Sequence, residues 1–264
     1  MTMTIRQAID TMMAQIPGAS REGSVDTVKC GDASQPLTGI VTAFTVTHRV
    51  MREAASLGAN LIITHEPTYY NHHDRTDGLA GDPVYETKRR TLEELGLTVW
   101  RFHDYWHAHR PDGILTGVAR KLGWEPYLDL GRPAMAVVPA TTLRSLALEL
   151  KHKLALPFVR IAGDPEMACR QIGMLLGAVG AERQIDYLRR DDVDAVVCGE
   201  TAEWQTCEYV RDACAGGRPR GLVVLGHCGS EDEGMRYLAD WLRPLLPAVP
   251  IAHISSGDPL TLLA

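Results

Sequence analysis

The stretch GIVTAFTVTHRVMREAASLGANLIITHEP (39–67) decides the fold. Residues 39–46 are apolar and rich in β-branched side chains, which is typical of a buried strand. Residues 47–58 carry a helical pattern that ends at a glycine, and 60–64 form a second apolar run. Strand, helix and strand in this order predict a parallel β-α-β unit.

The same alternation continues along the chain and predicts an α/β fold with largely parallel sheets. A β-α-β unit ending in AVVCGE resembles the one ending in LIITHE, which suggests two similar α/β lobes. The N-terminal segment reads as an amphipathic helix. Further helices are predicted over 84–96, 112–123, 141–156, 182–190, 201–217 and 231–246, and strands over 97–102, 134–139, 158–163, 172–180, 194–199, 221–226 and 249–255.

Composition excludes several classes of protein. The chain has 264 residues, 45% of them hydrophobic and 23% charged, which is ordinary for a folded domain. A net charge of -6 disfavours unaided binding to nucleic acid or anionic membranes. We find no long apolar run, no secretory signal and no glycine-rich phosphate loop. Six scattered cysteines without a CxxC pair predict reduced thiols and a cytoplasmic location.

Histidines and carboxylates follow four predicted strands, where open α/β sheets bind their ligands. These residues are His65 and Glu66, the stretch HDYWHAH (103–109), Glu200, and His227 with Glu231. We therefore expect them to meet at one edge of the sheet. Such a donor set without thiolates suits Zn, Mn, Fe, Co or Ni. The ligands are too many for one tetrahedral ion, which favours two metals that activate water and clamp the reacting oxygens.

Each residue also has a simpler interpretation. Ser230 and Glu233 fit a capping box, so that Glu231 is an acid in the first turn of a helix. His103 fits a hydrogen-bonded histidine at the edge of the core. The remaining histidines have no assigned role: His48, His72, His73, His152 and His253. The convergence of four strand ends favours the metal site over these alternatives.

Two segments, LGANLIITHEPTYY (57–70) and VVLGHCGSE (223–231), resemble signatures of the Nif-three-like family of dinuclear-metal hexameric proteins. Many members are named GTP cyclohydrolase 1 type 2 homologues. The resemblance extends over residues 3–20, 39–60, 99–124 and 194–204. It implies one Nif-three-like unit over 1–264, with lobes of about 1–130 and 131–264 and a C-terminal segment that completes the metal site.

The resemblance also implies which residues hold two divalent metal ions. His65, His227 and Glu231 match family ligands directly. Glu66 stands where the family has a second histidine, and His107 stands where it has an aspartate. The set is permuted, but it keeps three histidines and two carboxylates. The neighbouring side chains of Asp104 and His109 are expected to orient the ligands, and Glu200 or His103 to transfer protons.

The expected function is a metal-dependent hydrolase with a dinuclear centre, acting on a small, nucleotide-like molecule. The nearest basic residues in sequence are Arg75, Arg101 and Arg110, which gives little support for a triphosphate. One alternative is a non-catalytic metal-binding or scaffold protein, and another is a nucleotide-binding regulator without metal. The resemblance implies a toroidal homo-hexamer, a trimer of dimers. The acidic net charge and the lack of a long apolar run predict no membrane partner and disfavour a nucleic-acid partner.

Overall fold

The computed structural model describes residues 3–16, 22–129 and 131–263. The strands in these ranges are β1 (Val28–Cys30), β2 (Ile40–Ala43), β3 (Leu61–Thr64), β4 (Thr98–Arg101), β5 (Met135–Thr142), β6 (Arg160–Ala162), β7 (Ala168–Leu175), β8 (Ala195–Cys198), β9 (Gly221–Val224) and β10 (Ile251–His253). The α-helices are α1 (Ile5–Ala14), α2 (His48–Ser56), α3 (Pro83–Glu94), α4 (Asp104–Ala108), α5 (Gly113–Leu122), α6 (Leu143–Lys153), α7 (Ala181–Leu188), α8 (Glu208–Ala215) and α9 (His227–Leu245). A 3-10 turn (Glu125–Tyr127) and a π-helical turn (Glu203–Cys207) complete them.

The described strands form two five-stranded mixed sheets. The first has the order β1-β4-β3-β2-β10, in which only β1 is antiparallel to its neighbour. The second has the order β5-β7-β8-β9-β6, with a parallel centre and antiparallel outer strands. Every residue of β2, β3, β4, β8 and β9 is buried. Full burial explains their continuous apolar runs, since helices cover both faces of parallel sheets.

The chain divides into two compact units. Unit 1 comprises residues 1–114 and 234–256, and unit 2 comprises 115–233 and 257–264. The chain therefore changes unit within α5 and again within α9. Each unit contains one of the two sheets and its own apolar core, built on Val41, Ile62 and Val99 in unit 1 and on Val196 and Leu222 in unit 2.

The predicted fold class, α/β with mixed and largely parallel sheets, is confirmed. The short edge strand β1 and the single-turn helix α4 were not predicted, because each is too short to show a periodicity. Residues 17–20 of the opening segment compared with the family lie outside the described residues. None of the described helices is both long and apolar enough to cross a membrane.

Two sequence predictions about the strand ends and the last helix are wrong. The polar strand ends do not share one sheet edge, since β3 and β4 belong to the first sheet and β8 and β9 to the second. The last helix begins at His227 and not at residue 231. Two glycines close to its start made the segment read as a loop, but a Cβ at Gly229 would lie 2.7 Å from Leu156. That glycine allows close packing at the start of the helix.

Candidate metal centre

Three histidines of unit 1 lie together beyond the ends of β3 and β4. His65 directly follows β3. His103 comes after β4, immediately before helix α4, and His107 lies within α4. One ring nitrogen of each lies within 4.8 Å of the other two. The His65 ring stacks on His103 with centroids 4.5 Å apart and meets His107 edge-on at 4.9 Å. We call His65, His103 and His107 the imidazole group.

Two members of the imidazole group are oriented by carboxylates. Nδ1 of His103 lies 2.9 Å from Oδ1 of Asp104, and Nδ1 of His107 lies 2.9 Å from Oδ2 of Asp112. A carboxylate that accepts from Nδ1 fixes the tautomer and makes Nε2 the ligand nitrogen. Asp104 therefore lies in hydrogen-bond contact with the His103 ring. Asp112 was missed in the sequence, because Asp in a Pro-Asp-Gly segment reads as a turn residue.

A buried aspartate from a distant part of the chain fixes the backbone of this segment. Asp26 accepts hydrogen bonds from the backbone N–H groups of His103, Asp104 and Tyr105 at 2.8, 3.0 and 2.9 Å. Its burial raises its pKa, while the three backbone donors oppose the shift. These bonds satisfy donors at the start of α4 and thereby place His103 and His107. No feature of the sequence links Asp26 to residues so far along the chain.

Glu66 lies between the imidazole group and a buried arginine. One of its oxygens is 3.8 Å from Nε2 of His103, and the other is 3.6 Å from Nη2 of Arg101. Arg101 is fully buried and donates from Nε to the His65 carbonyl oxygen at 2.9 Å. A carboxylate oxygen of Glu66 also lies within 4.8 Å of a His65 ring nitrogen. The two residues that depart from the family pattern, Glu66 and His107, are therefore both neighbours of His65.

The His103 imidazole is held in its neutral form. Burial lowers its pKa to about 4, although the hydrogen bond with Asp104 opposes the shift. Nearby His107 and Arg101 add to the lowering. A neutral imidazole at neutral pH is the form that binds a metal ion.

A second cluster lies in unit 2, at the start of α9. His227 and Glu231 are one helical turn apart, and Nε2 of His227 is 3.2 Å from Oε2 of Glu231. Nδ1 of His227 lies 2.8 Å from Oε1 of Glu200, which follows β8. Glu231 is buried, whereas the Glu200 carboxylate is exposed. We call His227, Glu231 and Glu200 the His227 group.

Close backbone packing fixes the His227 group. A Cβ at Gly177, which has a φ of +72°, would lie 2.3 Å from Oε1 of Glu231. The Ser230 hydroxyl accepts from the Gly177 N–H at 3.0 Å and donates to the His227 carbonyl at 2.8 Å. Ser230 is therefore inside the first turn of α9, and the capping-box interpretation of Ser230 and Glu233 is wrong. Glu231 is fixed by its position one turn after His227 and by contact with a glycine.

His109 is placed in an aromatic cluster of unit 1. Its ring packs on Trp106 and Trp241 at centroid distances of 5.0 and 5.6 Å, and Nδ1 lies 2.7 Å from the Pro111 carbonyl. These contacts give His109 a packing role in holding α4.

A cavity of about 550 Å³ in unit 2 is lined by β6 and α8 and by none of the candidate ligands.

The donor chemistry fits divalent transition metals. The imidazole group offers three nitrogens within 4.8 Å of one another, and the carboxylate of Glu66 lies beside it. Imidazole with carboxylate is the ligand set of zinc and of the neighbouring first-row ions. Among the described residues, no cysteine belongs to these groups of candidate ligands. Burial raises the pKa of the Cys30 thiol to about 11 and that of Cys198 to about 12.

A family model identifies the chain. The model described as Duf34/NIF3 (NGG1p interacting factor 3) matches residues 3–259. The chain belongs to the Duf34/NIF3 family. The match covers both units and both groups of candidate ligands, and it confirms the resemblance found in the sequence.

Relatives and solved structures agree with this assignment. Proteins named GTP cyclohydrolase 1 type 2 homolog from Clostridium acetobutylicum and Escherichia coli are 23% and 27% identical to the chain, over 76% and 80% of its length and 75% and 82% of theirs. A Bacillus cereus protein related to NIF3 has the same fold, with a TM-score of 0.81, 15% identity and full coverage of both chains. A Staphylococcus aureus hypothetical protein matches with a TM-score of 0.76 and 18% identity, again over both full lengths.

Proposed function

We propose that this Duf34/NIF3 protein is a metal-dependent hydrolase with a dinuclear metal centre. The observation that carries the proposal is the imidazole group, in which three ring nitrogens lie within 4.8 Å of one another. Packing three imidazoles so closely costs hydration and conformational entropy, and binding of a cation to neutral nitrogens offsets that cost. We assign the family ligand positions to His65, Glu66, His107, His227 and Glu231.

The geometry adds His103 to the proposed ligands. From the sequence, His103 was a candidate for proton transfer. Its ring nitrogen, however, lies with those of His65 and His107, and its Nδ1 is engaged with Asp104. We therefore propose that His103 binds metal through Nε2 and that Asp104 positions it.

Glu200 and Asp112 would position the ligands His227 and His107 by hydrogen bonds and would not bind metal themselves. Glu200 accepts from Nδ1 of His227 at 2.8 Å and so orients that ring toward Glu231. Because the Glu200 carboxylate is also exposed, it can exchange a proton with solvent. Bound divalent metals would supply an activated water and would stabilise negative charge that develops on the substrate.

The proposed substrate is a small molecule with a hydrolysable bond, such as a phosphoester or an amidine. Arg101 is buried against the His65 carbonyl, and Arg110 donates to the carbonyls of His107 and His109. These two basic side chains are therefore engaged and do not favour a triphosphate. The assembly into a homo-hexamer and the cytoplasmic location remain proposals that rest on the family resemblance and on the cysteine usage.

Elemental analysis combined with turnover tests the proposal. We expect protein reconstituted with Zn²⁺ or Mn²⁺ to retain metal through gel filtration and to hydrolyse GTP or a model phosphodiester only when loaded. His227→Ala should abolish turnover, while His152→Ala, which removes an exposed histidine of α6, should not. Retained metal without turnover across a substrate panel would favour the non-catalytic metal-binding alternative. Protein that retains no metal would refute both.

A further inference from the structure

Five histidines of unit 1 form a continuous series from the surface to the core. The ring centroids of His73 and His72 are 5.0 Å apart, and those of His72 and His103 are 6.0 Å apart. From His103 the series continues to His65 at 4.5 Å and to His107 at 5.0 Å. His72 and His73 are exposed, while His65 is completely buried.

The loop that carries His72 and His73 is fixed by hydrogen bonds on both sides. Arg101 donates from Nη1 to the His72 carbonyl oxygen. The Asn71 side chain accepts from the Arg75 N–H at 2.9 Å and donates to the carbonyls of Tyr69 and Arg75 at 2.9 and 2.8 Å. These bonds hold the exposed rings beside His103 rather than leaving them on a freely moving loop.

A buried ion pair between Asp74 and Lys29 also fixes this loop. The Asp74 carboxylate accepts from the Tyr69 N–H at 2.7 Å and lies 3.3 Å from Nζ of Lys29. Both side chains of this ion pair are almost fully buried. The network fixes the backbone immediately after His73, at some cost in desolvation. A fixed loop with two adjacent exposed imidazoles is a distinct feature of unit 1, outside the imidazole group.

Both exposed rings offer nitrogen donors at the surface. Two imidazoles open to solvent bind a divalent transition metal weakly, since water fills the other positions. The imidazole group offers three nitrogens and includes the fully buried His65. It is therefore expected to bind a divalent metal ion more tightly than His72 and His73 do.

We propose that His72 and His73 form an outer, transient site for a divalent transition metal ion, and that the ion passes from it through His103 into the imidazole group. This inference rests on the proposed function, because it requires the imidazole group to bind metal. Each transfer is a ligand exchange in which one metal–nitrogen bond forms as a metal–water or metal–nitrogen bond breaks. The oxidation state of the metal does not change in these exchanges.

Metal-loading kinetics test the outer site. The probe is Co²⁺ added to chelator-treated full-length protein, followed by its visible absorbance in a stopped-flow instrument. For the double variant His72→Gln with His73→Gln, we expect the uptake rate to fall about tenfold, since the local ion concentration near His103 is lost. The release rate should fall by the same factor, because a residue that acts only along the path leaves the equilibrium unchanged. His152→Gln is the matched control and should keep both rates.

The remaining outcomes overturn the inference in distinguishable ways. Uptake at the wild-type rate in the double variant, with normal stoichiometry in both proteins, would refute the outer site and leave the proposed function intact. A lower final stoichiometry in the double variant would make His72 and His73 resident ligands and would refute the transient site. If the wild-type protein took up no Co²⁺, Zn²⁺ or Mn²⁺, the proposed function and the outer site would both be wrong.

Discussion

Asp112 holds the imidazole of His107 by a hydrogen bond of 2.9 Å between Oδ2 and Nδ1. His107 stands where the family resemblance implies an aspartate ligand. A histidine whose Nδ1 is paired with a carboxylate is more basic, and its Nε2 is a stronger donor. The Asp112 carboxylate therefore places negative charge beside His107, at a position where the family resemblance implies a negatively charged aspartate.

The pair predicts that Asp112→Asn weakens metal binding. We expect the affinity to fall by about 10- to 100-fold, because a neutral amide makes the His107 imidazole less basic than the carboxylate does. Competition with a chromophoric chelator measures the change. Asp240→Asn is a suitable control, since Asp240 forms an exposed ion pair with Arg243 on α9. An unchanged affinity in Asp112→Asn would contradict the proposed contribution of the Asp112 carboxylate to metal binding through His107.

Asp26→Asn should destabilise the protein. Oδ1 of Asp26 accepts from His103 and Asp104, whereas Oδ2 accepts from Tyr105. The amide can replace one oxygen only, so a donor would face the Tyr105 N–H. We expect the free energy of unfolding to fall by about 2 kcal/mol in urea titrations.

The same change at Asp82 provides the control for Asp26. Asp82 caps the exposed start of α3, and a single oxygen, Oδ1, accepts from both Val84 and Tyr85. Asparagine keeps that oxygen and is an equally good cap. Asp82→Asn should therefore leave the stability nearly unchanged. Equal losses in the two variants would contradict the special role of Asp26.

Gly177→Ala should damage the His227 group more than it damages the fold. The new methyl group would collide with Oε1 of Glu231, and the flexible carboxylate would move. We expect metal affinity to fall at least about tenfold, as for other displaced ligands. Gly123 has a similar φ of +69° and open space around it, so Gly123→Ala costs only the left-handed conformation, about 1 kcal/mol. Similar stability losses but different metal affinities in the two variants would confirm the prediction.

The metal-free protein should lose stability as the pH falls below neutrality. The folded-state pKa of His103 is about 4, below its ordinary value of 6.5, so the unfolded state binds more protons between these values. The contribution is complete above pH 6.5 and is lost as the pH decreases toward 4. It amounts to about 3 kcal/mol at 1.36 kcal/mol per pKa unit. Urea unfolding of chelator-treated protein at several pH values measures it; His103→Gln should flatten the profile, and His152→Gln should not.

The sequence was sufficient to predict the α/β architecture and the residues that follow the strand ends. His65 directly follows β3, and Glu200 comes shortly after β8. Both strands are buried apolar runs, which can be recognised from the sequence. The start of α9 was not predictable in the same way. Its glycines are needed for packing against distant residues such as Leu156, which no local pattern reveals.

The residues that orient the ligands were harder to predict than the candidate ligands themselves. Asp112 lies in a turn-like segment, where its side chain had a simpler explanation. Asp26 acts on a helix that begins at residue 104, and only the tertiary fold brings the two segments together. Both residues act through hydrogen bonds that form only in the folded protein, and a single sequence does not reveal which residues pair in this way.

Unit 1 is discontinuous, and this affects the biosynthesis of the protein. β10 completes the first sheet beside β2, and Trp106 packs on Tyr237 and Trp241. On the ribosome, the three imidazoles emerge long before the segment that closes their sheet. A nascent chain that stops ahead of residue 251 would leave the edge of β2 open to pairing with other chains. Assembly of the imidazole group is therefore expected to be a post-translational event.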